Sequence, residues 1–313
     1  MIALREIQAA AERLAGTVLR TPLLRLPLDG YSFDIYLKLE NLQPIGSFKL
    51  RGAGNAIALA SAAELTCGVY TASAGNMAQG LAWNARRLGI PCQVVVPDHA
   101  PATKLAAIQR LGGEIIKVPF DRWWDVIVSG EFAGLHGRFI HPVSDPAVMA
   151  GNGTIGLEIL ADLPDVDAVV IPYGGGGLSS GIASAVRALK PDTRLFAVEV
   201  ETAAPLAASL RAGRPVEVDY TPSFVDGIGG KTVLPEIWER VRALLDDSLL
   251  VSLDEVKAAI RLLAERQRVI AEGAGAASVA AALAGKAGEG KVVCVVSGGN
   301  IEPGVLAEIL ASS

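Results

Sequence analysis

Lys49 is the residue of this chain best placed to do covalent chemistry. It stands between Phe48 and Leu50, with Gly46 and Ser47 before it and Gly52 after it. In that setting a lysine can reach into a cleft while the backbone turns closely around it. A lysine amine condenses with carbonyl compounds, and burial lowers its pKa far enough to make it a nucleophile and a base. An isolated Ser-x-Lys also describes a solvated surface loop. The weight therefore falls on what accompanies it.

Three further constellations carry polar or glycine-rich turns at the ends of apolar runs. Ser73-Ala74-Gly75-Asn76-Met77 follows the run 68–72 and precedes a helical pattern over 78–88. Small polar residues at a strand-to-helix turn expose backbone N–H groups and a helix N-terminus, which suits a carboxylate, although an ordinary N-cap has the same composition. Gly174-Gly175-Gly176-Gly177 follows the run 168–172 and opens a helix from Leu178. Four glycines let the backbone wrap an anion. A dinucleotide site would want GxGxxG and a carboxylate about twenty residues on, for which Glu199 and Glu201 are placed, but contiguous glycines fit a single phosphate monoester better. Ser297-Gly298-Gly299-Asn300 ends the apolar run VVCVV. A hydroxyl there faces the ligand crevice of an open α/β sheet, or else caps a helix before Glu302.

The elements that must position these residues alternate almost throughout. Apolar runs at 68–72, 93–97, 114–118, 138–141, 168–172, 195–200 and 292–297 read as strands separated by Ala- and Leu-rich segments of helix length. That rhythm predicts an α/β fold with a mostly parallel sheet covered by helices on both faces. Between 141 and 168 lies a helical stretch, GTIGLEILADL, and no strand; segment 213–248 reads as irregular and is a candidate lining for the cleft.

Composition narrows the class. The chain has 313 residues, 51% hydrophobic and 19% charged, with a net charge of −5 and dispersed basic residues. It is long enough for one large or two moderate domains, and it offers no basic stripe for nucleic acid. No apolar run approaches the roughly 20 residues that span a bilayer, and the N-terminal segment lacks a secretory apolar core, so a soluble, cytoplasmic protein is expected. Cys67, Cys92 and Cys294 are odd in number and irregular in spacing, which argues against a disulfide framework, and His99, His136 and His141 form no zinc pattern.

The stretch 37–53, LKLENLQPIGSFKLRGA, closely resembles the cofactor-lysine segment of the serine/threonine dehydratases, pyridoxal phosphate enzymes of fold type II. All four constellations occur in that family's order and spacing. The resemblance implies two open, twisted, mostly parallel sheets flanked by helices, with residues 1–66 and 146–313 as a large cofactor-binding domain and 67–145 as a small mobile one. It implies that Lys49 carries pyridoxal phosphate as a Schiff base beside Phe48. Gly174, Gly175, Gly176, Gly177 and Leu178 would cup its phosphate, Asn76 would meet its ring hydroxyl oxygen, and Ser297, with Gly298 alongside, its pyridine nitrogen. Ser73, Ala74, Gly75, Asn76 and Met77 would bind the amino-acid substrate, Glu272 would lie near the cofactor, and a homodimer is implied.

Departures from the family pattern sharpen this expectation. Ala74 replaces the serine that related racemases use as a second acid/base, and an alanine cannot move a proton. Met77 replaces a common histidine, which leaves room for larger side chains than those of serine or threonine. Some relatives bind a divalent cation; Glu199 and Ala203 match two of its ligands, but Pro205 stands where an aspartate belongs. A serine at the ring nitrogen leaves the ring a weaker electron sink than an aspartate would, which favours β-elimination over transamination. The expected reaction is removal of water from a β-hydroxy amino acid, giving a 2-oxo acid and ammonia. β-Replacement synthases share the fold, but their lysine segment usually reads SVKDR. A racemase and a non-catalytic phosphate-binding α/β protein are two further readings. The sequence closes soon after residue 300, so feedback control through the regulatory domain of biosynthetic threonine dehydratases is not expected.

Overall fold

The structure is a computed structural model that describes residues 1–28, 30 and 32–312. Its strands are β1 (Leu23–Leu26), β2 (Phe33–Leu39), β3 (Val69–Ala72), β4 (Cys92–Pro97), β5 (Glu114–Val118), β6 (Arg138–Phe139), β7 (Ala168–Pro172), β8 (Arg194–Val200), β9 (Asp247–Val251) and β10 (Gly290–Val296). The helices are α1 (Leu4–Leu14), α2 (Lys49–Ala58), α3 (Ala62–Leu65), α4 (Asn76–Leu88), α5 (Ala102–Arg110), α6 (Phe120–Ser129) and α7 (Pro146–Asp162), then α8 (Gly177–Leu189), α9 (Pro205–Ala212), α10 (Pro235–Leu244), α11 (Leu253–Leu262), α12 (Gly273–Leu283) and α13 (Pro303–Ala311).

Two sheets result. The larger has the order β1-β2-β10-β7-β8-β9 and is parallel except for the β1–β2 pair; the smaller has the order β5-β4-β3-β6 and is wholly parallel. The reason lies in the strands. All five residues of β7, AVVIP, are buried, so neither face meets water and helices must cover both. Successive side chains point to opposite faces. Ala168 and Val170 accordingly join a core with α11 and α12, while Val169 and Ile171 join the core with α1, α7, α8 and α10. In the small sheet Val94 and Val96 pack with α2 and α4, and Val95 packs with α6.

Several boundaries differ from the sequence reading. β3 begins at Val69 rather than 68, because Gly68 turns at φ +79° and donates to the Leu65 carbonyl. β6 ends at Phe139, and residues 140–145 become a turn. Strands β1, β2 and β9 lie outside the predicted set; β1 and β9 are the two edges of the large sheet and are only partly buried. The irregular segment 213–248 contains α10, which starts at Pro235 with the proline in the first turn. The small sheet's apolar cluster also takes Ala53, Ala56, Ile57 and Val148 from outside residues 67–145.

Among the described residues, no helix is long and apolar enough to cross a membrane. The three cysteines are free, with Cys92 and Cys294 buried.

Candidate active site

The turns after β3, β7 and β10 open onto one cavity of about 380 Å³, at the carboxyl ends of the strands where open α/β sheets bind ligands. Its lining includes Lys49, the 73–77 turn, the 174–177 glycines with Leu178, Glu272 and Ser297. Four constellations far apart in sequence thus share one space.

Local pairing explains how Lys49 gets there. The Phe48 amide donates to the Ser297 carbonyl at 3.0 Å, the Gly299 amide to the Gly46 carbonyl at 2.9 Å, and Ser47 bridges Gly298. The lysine segment is therefore laid against the end of β10, and Lys49 opens α2 just beyond it. α4 comes close because Gly80 has no side chain: a Cβ there would sit 2.9 Å from the Lys49 carbonyl oxygen.

The Lys49 ammonium donates from Nζ to the Pro142 carbonyl at 2.8 Å and lies 5.1 Å from the centre of the Phe48 ring. Burial pulls its pKa down to about 8, with the Glu272 charge opposing. A substantial share of this amine is consequently neutral in mildly alkaline solution, as a nucleophile or base requires.

Opposite it, Asn76 at the start of α4 donates from Nδ2 to both Glu272 oxygens, at 2.9 and 3.2 Å, and its Oδ1 accepts from Asn300 Nδ2 at 2.7 Å. Glu272 is 9% exposed. Burial pushes its carboxyl up to about 7, against the Asn76 hydrogen bonds, and Asp226 adds to the rise. Glu272 thus titrates close to neutral pH. Glu272→Gln removes a negative charge that favours the Lys49 ammonium, so the amine pKa falls below about 8. The pH dependence of Lys49 reductive methylation, read by mass spectrometry, measures it; an unchanged value would show that the two groups do not interact.

The glycine turn is held from behind. A Cβ on Gly175 would lie 2.6 Å from Val143, on Gly176 2.6 Å from Ile237, and on Gly177 2.6 Å from the Val143 carbonyl oxygen. Gly176 precedes α8 at φ +91°, and no side chain caps that helix, so its first amides keep their donor capacity for an anion. In the 73–77 turn, the Gly75 amide donates to Ser73 Oγ at 3.2 Å and Gly75 meets nothing on its Cβ side. Met77 borders the cavity but is 2% exposed and packs into the small sheet's core, so it anchors the turn as much as it shapes the pocket.

Some expectations find a different setting. Glu199 is fully buried, with Oε1 accepting from the Leu206 amide and Oε2 from the Ala207 amide and Ser248 Oγ. Its carboxylate thereby caps α9, and Ala203 lies in the turn between them. Among the described residues, no group of three or more His, Cys, Asp or Glu side chains is placed to hold a metal.

The structure also adds residues that the sequence reading left aside. Trp123 lines the cavity with Phe120 and His99, in a series of ring contacts 5.5 and 6.1 Å apart. Phe120 is half exposed at 51%, which puts an aromatic wall at the cavity's edge. Segment 213–248, expected to line the cleft, does so through Asp226, Gly227 and Ile228, and Lys104 of α5 pairs with Asp226 in the same lining. Pro142 and Val143 had no sequence signal, since their role depends on a carbonyl and on shape.

Comparison with known proteins matches residues 14–298 to the family model described as pyridoxal-phosphate dependent enzyme. The L-threonine ammonia-lyase of Thermotoga maritima is 42% identical over 316 residues, covering 99% of this chain and 78% of the relative. Among solved structures, a T.th. threonine deaminase superposes with a TM-score of 0.88 at 35% identity, covering 96% of this chain and 99% of that one. Maize serine racemase gives a TM-score of 0.90 at 32% identity, covering 98% and 97%.

Proposed function

This chain belongs to the pyridoxal-phosphate-dependent enzymes, and from that premise we propose that it is an ammonia-lyase removing water from a β-hydroxy amino acid, with threonine or serine as substrate. The observation that carries this reading is a buried lysine amine, its pKa lowered to about 8, in one cavity with a glycine turn at an uncapped helix start. Sequence likeness to threonine ammonia-lyases over nearly the whole chain supports the reaction type.

The lining fits the cofactor. Gly175, Gly176 and Gly177 leave backbone where any side chain would collide, and with Leu178 and the start of α8 they suit a phosphate. Lys49 supplies the amine for covalent attachment, Phe48 flanks it, Asn76 offers an amide, and Ser297 lines the same cavity, with Gly298 next to it packed against Glu272 and Asn76. When bound, pyridoxal phosphate supplies a carbonyl for attachment to amines and a ring that draws electrons from the adjoining carbon.

The protein's own part is positional and acid–base. Ser73, Ala74, Gly75 and Asn76 hold the substrate carboxylate at the N-terminus of α4, which orients the Cα–H bond toward Lys49. Once freed, the Lys49 amine takes the Cα proton, and the Pro142 carbonyl steadies the resulting ammonium. That ammonium is a donor to the departing β-hydroxyl, which leaves as water. The released enamine hydrolyses in solution to a 2-oxo acid and ammonia.

Racemisation needs an acid/base on the opposite face. At Ala74 there is none, and this favours elimination despite the likeness to racemases. We further place the enzyme in the cytoplasm as a homodimer, with residues 67–145 as a small domain that moves over the cofactor.

The test is 2-oxo acid release by the cofactor-loaded protein across serine, threonine, phenylserine and hydroxyaspartate, with the enantiomer composition of unreacted substrate followed in parallel. Release from serine or threonine is expected. Release confined to phenylserine would keep the mechanism and move specificity to the wall of Phe120 and Trp123. Silence with every member, or racemisation without release, would overturn the reading.

A further inference from the structure

The turn between β6 and α7 meets the reaction centre at three points, although nothing in its sequence marks it as part of the site. We propose that His141 is a positioning residue for Lys49: its unprotonated Nδ1 holds the Pro142–Ser144 turn, whose carbonyl receives the lysine amine. The identity of the reaction rests on the lyase reading above; the role of His141 rests on geometry.

His141 Nδ1 accepts hydrogen bonds from the Val143 amide at 3.0 Å and the Ser144 amide at 2.9 Å. Two backbone donors facing one ring nitrogen require it to be an acceptor, so the imidazole is neutral with its proton on Nε2. The turn so fixed presents the Pro142 carbonyl to Lys49 Nζ at 2.8 Å. It also sets Val143 against the glycines: its Cγ atoms lie 2.6 and 2.7 Å from where a Cβ on Gly175 would stand, and its carbonyl oxygen 2.6 Å from that position on Gly177. One side chain thereby locates both the resting place of the amine and the back wall of the glycine turn. The ring is itself braced edge-on by Phe139, with centres 6.0 Å apart and planes at 86°.

The arrangement is sensitive to acid. A proton on Nδ1 converts the acceptor into a donor facing two donors, and the turn loses both bonds. The groups facing the ring are Glu236 on α10, Asp145 before α7, Lys49 on α2 and the Ile127 backbone on α6. Burial, with the Lys49 charge, holds the imidazole below its ordinary pKa, while Glu236, Asp145 and Ile127 oppose. The turn therefore stays intact at neutral pH and is released only below the usual imidazole range.

Two variants test this. In His141→Asn the side-chain oxygen can accept from the same amides as an Asx turn does, whereas His141→Phe keeps the packing and deletes the acceptor. His141→Phe should lower kcat ~10²-fold with a smaller change in KM, as expected when a reacting group is displaced by about 1 Å. In the cofactor-free protein it should also lower the Lys49 amine pKa below about 8, because the free ammonium loses its carbonyl acceptor. His141→Asn should stay within about tenfold of the parent kcat and lose the part of the acid limb due to the imidazole. Nitrogen NMR of the parent at neutral pH should report an unprotonated Nδ1. A folded His141→Phe with parental kcat and Lys49 pKa, a His141→Asn as impaired as His141→Phe, or a protonated Nδ1 would each overturn the proposal. Should the parent release no 2-oxo acid at all, the lyase reading falls, and the Lys49 pKa in the two variants still decides the role of His141.

Discussion

Lys49→Ala is expected to lower 2-oxo acid release at least ~10⁴-fold, because in the proposed mechanism one substitution removes both the covalent attachment point and the proton-transfer group. It also abolishes the visible absorbance of covalently held cofactor, while cofactor bound only by its phosphate is retained weakly. Stability should hardly change. The amine donates to the Pro142 carbonyl and lies over the Phe48 ring, and its burial as a cation is a cost rather than a gain. Small primary amines added to the variant should restore part of the proton transfer, whereas Lys49→Arg, with a guanidinium that stays charged, should remain inactive. Turnover in Lys49→Ala comparable to the parent, with mass spectrometry confirming the substitution, would sink the assignment of Lys49.

How far the sequence reveals this arrangement depends on what each residue is asked to do. β7 and β10 are readable because strands buried on both faces are uninterrupted apolar runs. β9, with the pattern exposed, buried, intermediate, exposed, buried, sits at an edge and gives a weaker signal. Lys49, the 73–77 turn, the 174–177 glycines and Ser297 are legible because their chemistry is local: a turn followed by a helix start declares itself over five residues. Glu272 is harder, since its high pKa comes from burial, with the Asp226 charge adding and the Asn76 hydrogen bonds opposing, and both partners lie far away in the chain. Asn300 closes the SGGN turn, yet its bond to Asn76 spans 224 positions. Pro142 contributes a carbonyl, which every residue has, and no composition rule could single it out. Met77 carries a fuller signal than its place in the turn: Leu81 and Ala85 follow at helical spacing, and all three lie on the buried face of α4.

Arg51→Leu is expected to destabilise the protein by about 3–5 kcal/mol, the typical penalty for stripping one partner from a buried ion pair. The guanidinium is almost fully enclosed two residues after Lys49. It donates from Nε and Nη2 to both oxygens of Glu40, at 2.8 Å each, and from Nη1 and Nη2 to Glu158 at 2.7 and 2.9 Å. Glu40 follows β2, Glu158 belongs to α7, and Lys38 completes the cluster through Glu158. Arg51 therefore ties the first turn of α2, and so the base of Lys49, to both neighbouring elements. The pH dependence has a definite sign. Burial alone would raise the Glu40 pKa, but the Arg51 charge and hydrogen bonds, with Thr21 and Lys38, carry it below the ordinary carboxylate value. In the parent, Glu40 thus contributes stability that is present above its unfolded pKa and lost as pH falls through the folded one. Without Arg51 burial dominates, Glu40 binds a proton more readily in the folded state, and the variant gains on the parent as the solution is acidified. Urea midpoints at about pH 7 and about pH 5 should show the gap between the two proteins narrowing at the lower value. Arg51→Lys, which keeps the charge but not the fork, should fall between them. A gap independent of pH would mean that the loss comes from packing of the guanidinium plane rather than from the carboxylate it pairs. Activity should fall with stability in Arg51→Leu, because a tilt of α2 at its first turn moves the Lys49 amine away from the Pro142 carbonyl.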